Sequence, residues 1–230
     1  MSRVNFGLIH GGCHSPGSWS YLVPELQARG HDAVLVDLPI EDPGADLAAY
    51  TDVAVKALAD ADPLVVVGHS LGAATALTTA EQLRPRGVVL LCPAIIFGSS
   101  PGAPEPMLTM SPDSTWVDDA GLSHMSDGAG EYWFYPDCPP EVVAEAVAQL
   151  RPQGVAGLAG PATAQRTSVP SILIRAEDDR CVAAEWQHWA ASVLTGREPV
   201  TVPGGHSPFL SRPARLADVL DRFAQQVTPG

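Results

Sequence analysis

Basic residues are scarce in this chain. Its 230 residues hold 13 lysines and arginines against 26 aspartates and glutamates, a formal net charge of −13. Nucleic acids and anionic membrane surfaces both demand a basic face, so neither is an expected partner. Long apolar runs are missing too, since none approaches the ~18 residues of a membrane span. Met1-Ser2-Arg3-Val4-Asn5 leads into a strand with no signal-peptide core ahead of it. The expected location is cytoplasmic. Cys13, Cys92, Cys138 and Cys181 lie far apart with no C-x-x-C pair, which points away from a zinc site and from a disulfide framework. Neither a metal nor an organic cofactor is expected. What is left is a globular composition, 46% hydrophobic and 17% charged, at a length that one α/β domain can fill.

What is present is a rhythm. Short apolar stretches at 4–9, 33–36, 64–67, 87–91, 171–174 and 199–202 alternate with segments of helical periodicity. The predicted helices include 19–29, ending at Gly30, then 47–58 with Asp46 as its cap, and a last helix from near Ser211 to about Val227 with Pro213 in its first turn. Continuous apolar strands between amphipathic helices mean a parallel sheet covered on both faces. The rhythm breaks once. From about 93 to 167 no sheet strand is evident, and one helix, 141–150, follows Pro139-Pro140. Such a piece is too long for an ordinary loop. It is expected to fold as a cap over the C-terminal edge of the sheet, where ligands of open α/β sheets bind.

The stretch Val65-Val66-Val67-Gly68-His69-Ser70-Leu71-Gly72 fits G-x-S-x-G between a strand and a helix. A serine at so sharp a turn takes strained φ/ψ angles, and the flanking glycines let strand and helix backbones nearly touch. Its Oγ then stands clear of the backbone over the positive end of the helix. A serine hydroxyl needs a base, and the base needs an orienting carboxylate, in the order Ser, acid, His along the chain. His206, in Pro203-Gly204-Gly205-His206-Ser207-Pro208, stands just past the sixth strand and is the candidate base. Past the fifth strand come Glu177, Asp178 and Asp179. Asp179 is the preferred acid and Asp178 the alternative. For the oxyanion, backbone N–H groups of Leu71 and of Gly12, in the loop after the first strand, are the candidate donors.

Other residues have quieter readings. His69 is expected to point away from the chemistry and pack, and His10 to order the loop after the first strand. Cys13 and Cys181 read as small buried hydrophobes. The run Tyr132-Trp133-Phe134-Tyr135 anchors the cap or lines the pocket. His14, Trp133 and Phe209 are the candidates for contact with substrate.

Taken together, Leu8-Ile9-His10-Gly11-Gly12-Cys13-His14 with Trp19, Gly68-His69-Ser70-Leu71-Gly72, Glu177-Asp178-Asp179-Arg180-Cys181-Val182 and Gly205-His206-Ser207-Pro208-Phe209-Leu210 resemble the α/β-hydrolase superfamily over essentially the whole chain. The likeness is to its small esterase branch, with plant methyl esterases, hydroxynitrile lyases and bacterial pyrethroid-hydrolase-like proteins. In the cap, Phe134-Tyr135-Pro136-Asp137-Cys138-Pro139-Pro140 and Leu150-Arg151-Pro152-Gln153 look like the short cap of bacterial members. The resemblance implies an α/β-hydrolase fold of about six parallel strands, the nucleophile strand beside the first, with a small cap inserted after the fourth. It also implies the acid at Asp179 and oxyanion donors at Gly12 and Leu71. The lyases place a threonine after the first-strand histidine and a lysine after the catalytic one, where this chain has Gly11 and Ser207. The leading expectation is hydrolysis of a small-molecule carboxylic ester or thioester. A lyase using the same triad and a non-catalytic ligand-binding member of the fold are the alternatives, because one fold hosts many chemistries.

Overall fold

Six apolar stretches become six paired strands. In a computed structural model, which describes residues 3–161 and 163–228, the chain runs β1 (Asn5–Ile9), α1 (Leu22–Ala28), β2 (Asp32–Val36), α2 (Leu47–Leu58), β3 (Leu64–His69), α3 (Gly72–Leu83) and β4 (Gly87–Leu91). An insertion follows, with β5 (Thr115–Val117), β6 (Leu122–Met125), α4 (Ala129–Phe134), α5 (Pro140–Val147) and β7 (Gln153–Gly154). The chain closes with β8 (Ser171–Ala176), α6 (Ala184–Thr195), β9 (Val200–Val202), α7 (Pro208–Ser211) and α8 (Pro213–Val227). The main sheet is parallel in the order β2-β1-β3-β4-β8-β9. This is the α/β-hydrolase arrangement, with the serine-bearing strand beside the first.

Register places the chemistry. Ile9 pairs with Gly68, His69 with Leu91, Leu91 with Ile174, and Ala176 with Val202. The loops after β1, β3, β4, β8 and β9 therefore leave from one edge of the sheet. β3 and β4 are buried at every position, which is why their sequences are apolar without alternation. On α8, Leu216, Leu220 and Phe223 are buried on one face, the i, i+4, i+7 spacing of an amphipathic helix. The Asp46 carboxylate accepts the Ala49 N–H at 3.0 Å and caps α2 as expected.

Two expectations need correction. Residues 16–19 form a 3₁₀ turn, and α1 begins only at Leu22. A helix from 19 would bury Pro24 beyond its first turn, where its ring strikes a carbonyl four residues back. α5 ends at Val147, because Pro152 follows and the Arg151 N–H bonds to the Cys13 carbonyl at 2.8 Å instead. The last helix, α8, runs Pro213–Val227 with Pro213 in its first turn, close to the expected start near Ser211, and the short α7 precedes it.

The insertion adds no strand to the main sheet but builds a small antiparallel one, β5-β6-β7. Its hairpin turns where the Asp118 carboxylate accepts the Ala120 and Leu122 N–H groups, both at 2.9 Å, and Gly121 takes φ +81°. Met1 and Ser2, on which the reading of the N-terminus partly rests, and Ala162, within the expected cap, lie outside the described residues. Among the described residues, no helix is long and apolar enough to cross a membrane.

Candidate active site

Ser70 sits at φ +51° between β3 and α3, a left-handed conformation that costs an L-residue roughly 1–3 kcal/mol. Its neighbours hold it there: the Ser70 N–H donates to the Leu91 carbonyl at 2.9 Å, and its own carbonyl accepts the Ala94 N–H at 3.1 Å. A Cβ on Gly68 would lie 2.5 Å from the Gly72 carbonyl oxygen and 2.8 Å from Ala73 Cα, and one on Gly72 would collide with the His10 carbonyl. Only glycine lets the elbow close.

His206, in the loop from β9 to α7, is buried, and its Nδ1 lies 3.0 Å from each carboxylate oxygen of Asp179. That contact makes Nδ1 the donor and leaves Nε2 with the basic lone pair. Asp179 also accepts the Cys181 and Val182 N–H groups at 2.8 and 3.2 Å and the Gln187 amide at 3.1 Å. Asp178 and Glu177 are exposed, so Asp179 is the carboxylate at the histidine. Burial opposes charge on His206, yet the Asp179 carboxylate outweighs it and holds the imidazole pKa well above its ordinary value. Burial likewise opposes charge on Asp179, and His206 with the loop N–H groups keeps that pKa low. The insertion also touches this loop, for Asp137 Oδ1 accepts the Gly205 N–H at 3.0 Å.

Three further histidines pack around the site. His69 donates from Nε2 to the His206 carbonyl at 3.0 Å. His10 bonds the Gly11 carbonyl through Nδ1 at 2.9 Å and accepts the Leu38 N–H on Nε2 at 3.1 Å. His14 bonds the Gly12 carbonyl through Nδ1 at 2.6 Å and meets the Tyr135 hydroxyl with Nε2 at 3.0 Å. Burial pushes His10 down to about 4 and His14 to about 3, and His69 well below its usual value. These three are neutral at neutral pH, in the packing roles expected of His69 and His10.

Ser70, His206, Gly12, Leu71 and His14 all line one cavity of about 290 Å³. Trp133 and Phe209 do not. Phe209 is fully buried beneath it, 4.7 Å ring to ring from Trp19 and 4.8 Å from His69, and Trp133 packs against the core while its neighbour Phe134 faces the cavity. One residue along a six-residue helix turns a side chain by about 100°, enough to exchange the roles of Trp133 and Phe134. Sequence reasoning also missed Met110, Met125 and Gln153 in the wall. They come from an insertion whose short strands carry no periodic signal.

Cys92 Sγ, an Asp179 oxygen and a His206 nitrogen lie within 4.8 Å of one another, a spacing that suits a metal ion. The donors fit poorly. Burial raises the Cys92 thiol well above its usual pKa, whereas a metal takes thiolate, and His206 Nδ1 is already committed to Asp179.

The family described as "Alpha/beta hydrolase family" matches residues 8–219. Among curated proteins, Esterase PIR7B of Oryza sativa subsp. japonica is 25% identical, with 98% of this chain and 97% of that protein covered. Pyrethroid hydrolase of Sphingobium wenxiniae is 26% identical, with 97% and 89% covered. The crystal structure of a pyrethroid hydrolase from Sphingobium faniae superposes with a TM-score of 0.79 at 23% identity, covering 97% of this chain and 98% of that one. It has the same fold.

Proposed function

The chain belongs to the alpha/beta hydrolase family, and from that premise we propose that it is a serine hydrolase cleaving a small carboxylic ester or thioester through an acyl-enzyme. Relatives named as an esterase and a pyrethroid hydrolase, matched over nearly the whole chain, support the ester-hydrolase class. The observation that carries the mechanism is the two-oxygen seat of His206 Nδ1 on Asp179, beside the same cavity that Ser70 lines.

In this reading Ser70 Oγ attacks the carbonyl carbon while His206 Nε2 takes its proton, with Asp179 holding the ring and stabilising the imidazolium. The N–H groups of Gly12 and Leu71 receive the oxyanion. The protonated His206 then gives its proton to the departing alcohol or thiol. Water, deprotonated by the same nitrogen, releases the acyl group as a carboxylic acid and restores Ser70. No metal and no organic cofactor enters this scheme.

The cavity wall argues for the substrate's character. Leu108, Met110, Met125, Phe134 and Leu158 are apolar, and among the described residues no lysine, arginine, aspartate or glutamate lines it. A neutral, apolar ester fits such a wall; a charged one would lose its hydration without a partner. The lyase alternative is weaker, since the position after His206 is a buried, uncharged Ser207 and supplies no cation for a departing anion.

The test is turnover of p-nitrophenyl acetate and butyrate by wild type and Ser70→Ala, with mass spectrometry after treatment with a serine-directed phosphonate. An adduct on Ser70 and loss of turnover in the variant support the reading. Wild-type protein that neither reacts nor turns over would sink it.

A further inference from the structure

The residue after Gly12 is held from outside its own loop. Cys13 takes φ +60°, an uncommon conformation for a side chain with a Cβ. Its N–H donates to Gln153 Oε1 at 3.3 Å, and its carbonyl accepts the Arg151 N–H at 2.8 Å. Both backbone polar groups of this one residue, and with them the peptides on either side of its Cα, are thus bonded to two residues of the insertion. Arg151 adds two bonds from its guanidinium to the His14 carbonyl, at 3.0 and 2.9 Å.

Gln153 is oriented unambiguously. It is buried, and its Nε2 donates to the Gly154 carbonyl at 2.9 Å and to the Tyr50 hydroxyl at 2.9 Å. A carbonyl only accepts, so the NH₂ must face Gly154 and Oε1 must face Cys13. Gly154 is itself anchored, its N–H bonding the Ile40 carbonyl at 2.7 Å. The amide lines the cavity, yet these bonds already use its oxygen and both of its N–H donors, and little remains for a substrate. A Cβ on Gly12 would meet Leu71 Cδ1 at 2.5 Å and Gln153 Oε1 at 3.4 Å, so the Leu71 side chain and this amide both close against Gly12.

We propose that Gln153 is a positioning residue for the oxyanion site: its bond to the Cys13 N–H holds the Gly12–Cys13 peptide, which restrains rotation at Gly12 and so steadies the adjoining Gly11–Gly12 peptide, which carries the Gly12 N–H and whose carbonyl His10 and His14 hold. This rests on the hydrolase reading above. Gln153 touches no reacting atom and acts through the loop. Its loss leaves the cavity able to admit substrate but misaligns one of two oxyanion donors. Removing a donor outright costs 10²–10³ in kcat, and misaligning one costs about 10- to 100-fold.

The test uses Gln153→Met, which keeps the volume without the hydrogen bonds, and Gln153→Asn, which stays polar but draws the oxygen back out of reach of the Cys13 N–H. Each is compared with wild type for p-nitrophenyl butyrate kcat and KM, for the rate at which a fluorophosphonate labels Ser70, and for melting temperature. In both variants kcat and the labelling rate are expected to fall together by about 10- to 100-fold, with KM within about threefold. Variants whose kcat and labelling rate stay within about twofold of wild type overturn the inference, as does a rise in KM at unchanged kcat, which would make Gln153 part of the cavity wall only. If wild type labels and both folded variants label equally fast, this inference falls alone. If wild type does not label, the hydrolase reading falls first and takes it along.

Discussion

His69 Nε2 donates a hydrogen bond to the backbone carbonyl of His206 at 3.0 Å. The residue before Ser70 thereby carries the His206 loop, and the two rings lie 4.8 Å apart. His69→Phe leaves that carbonyl buried and unpaired, at a cost of about 1–3 kcal/mol. Thermal unfolding is expected to show the loss, and ester assays a kcat lower by roughly tenfold at unchanged KM. Turnover and stability both equal to wild type would refute this coupling.

The elbow sets stability against activity. Ser70→Ala is expected to lower turnover by at least about 10³-fold while keeping the strain at φ +51°. Ser70→Gly is equally inactive but more stable than Ser70→Ala by about 1 kcal/mol, since glycine adopts positive φ freely. Denaturant melts of the two inactive proteins decide the matter.

The pH profile follows from the pairing of His206 with Asp179. In the proposed mechanism His206 must be unprotonated to act, and its pKa is held well above the ordinary imidazole value. Activity is therefore lost as pH falls, beginning above pH ~6.5. Asp179→Asn removes the carboxylate that raises the pKa, so the limb moves to lower pH, and kcat drops by about 10⁴-fold. A limb that stays in place after this change would separate the two residues functionally.

Acyl selectivity should follow the wall of the cavity. Butyrate and other neutral aliphatic esters are expected to exceed a monoester of succinic acid by at least about tenfold in kcat/KM. Equal rates would mean that the acyl chain lies elsewhere.

Much of this was legible in the sequence. The six sheet strands read directly because each is a short apolar run between helices, and the elbow because Gly68 and Gly72 are needed where backbones touch. The stretch 177–179 offered three acids in a row. What separates them is a sharp turn that buries the Asp179 side chain and exposes the other two, and turns of that kind leave little trace in composition. The insertion was least legible. Its strands of 3, 4 and 2 residues are too short to show alternation, so Gln153 against Cys13 could not be read from spacing, and a helix as short as α4 does not tell which of Trp133 and Phe134 faces the wall. Of the two aromatic candidates for substrate contact, Trp133 packs on the core and Phe209 is fully buried against Trp19.

The neutral trio of His10, His14 and His69 has a consequence for how the site carries charge. With pKa values of about 4 and about 3 for the first two, and His69 also well below its usual value, all three are neutral at neutral pH. Four imidazoles stand together, yet of these only His206 is shifted upward, by the Asp179 carboxylate. The other three form a fixed lattice of dipoles whose orientations are set by their backbone bonds. The field at Ser70 is thus modulated by one proton against a constant background, and the site behaves as a single-bit device.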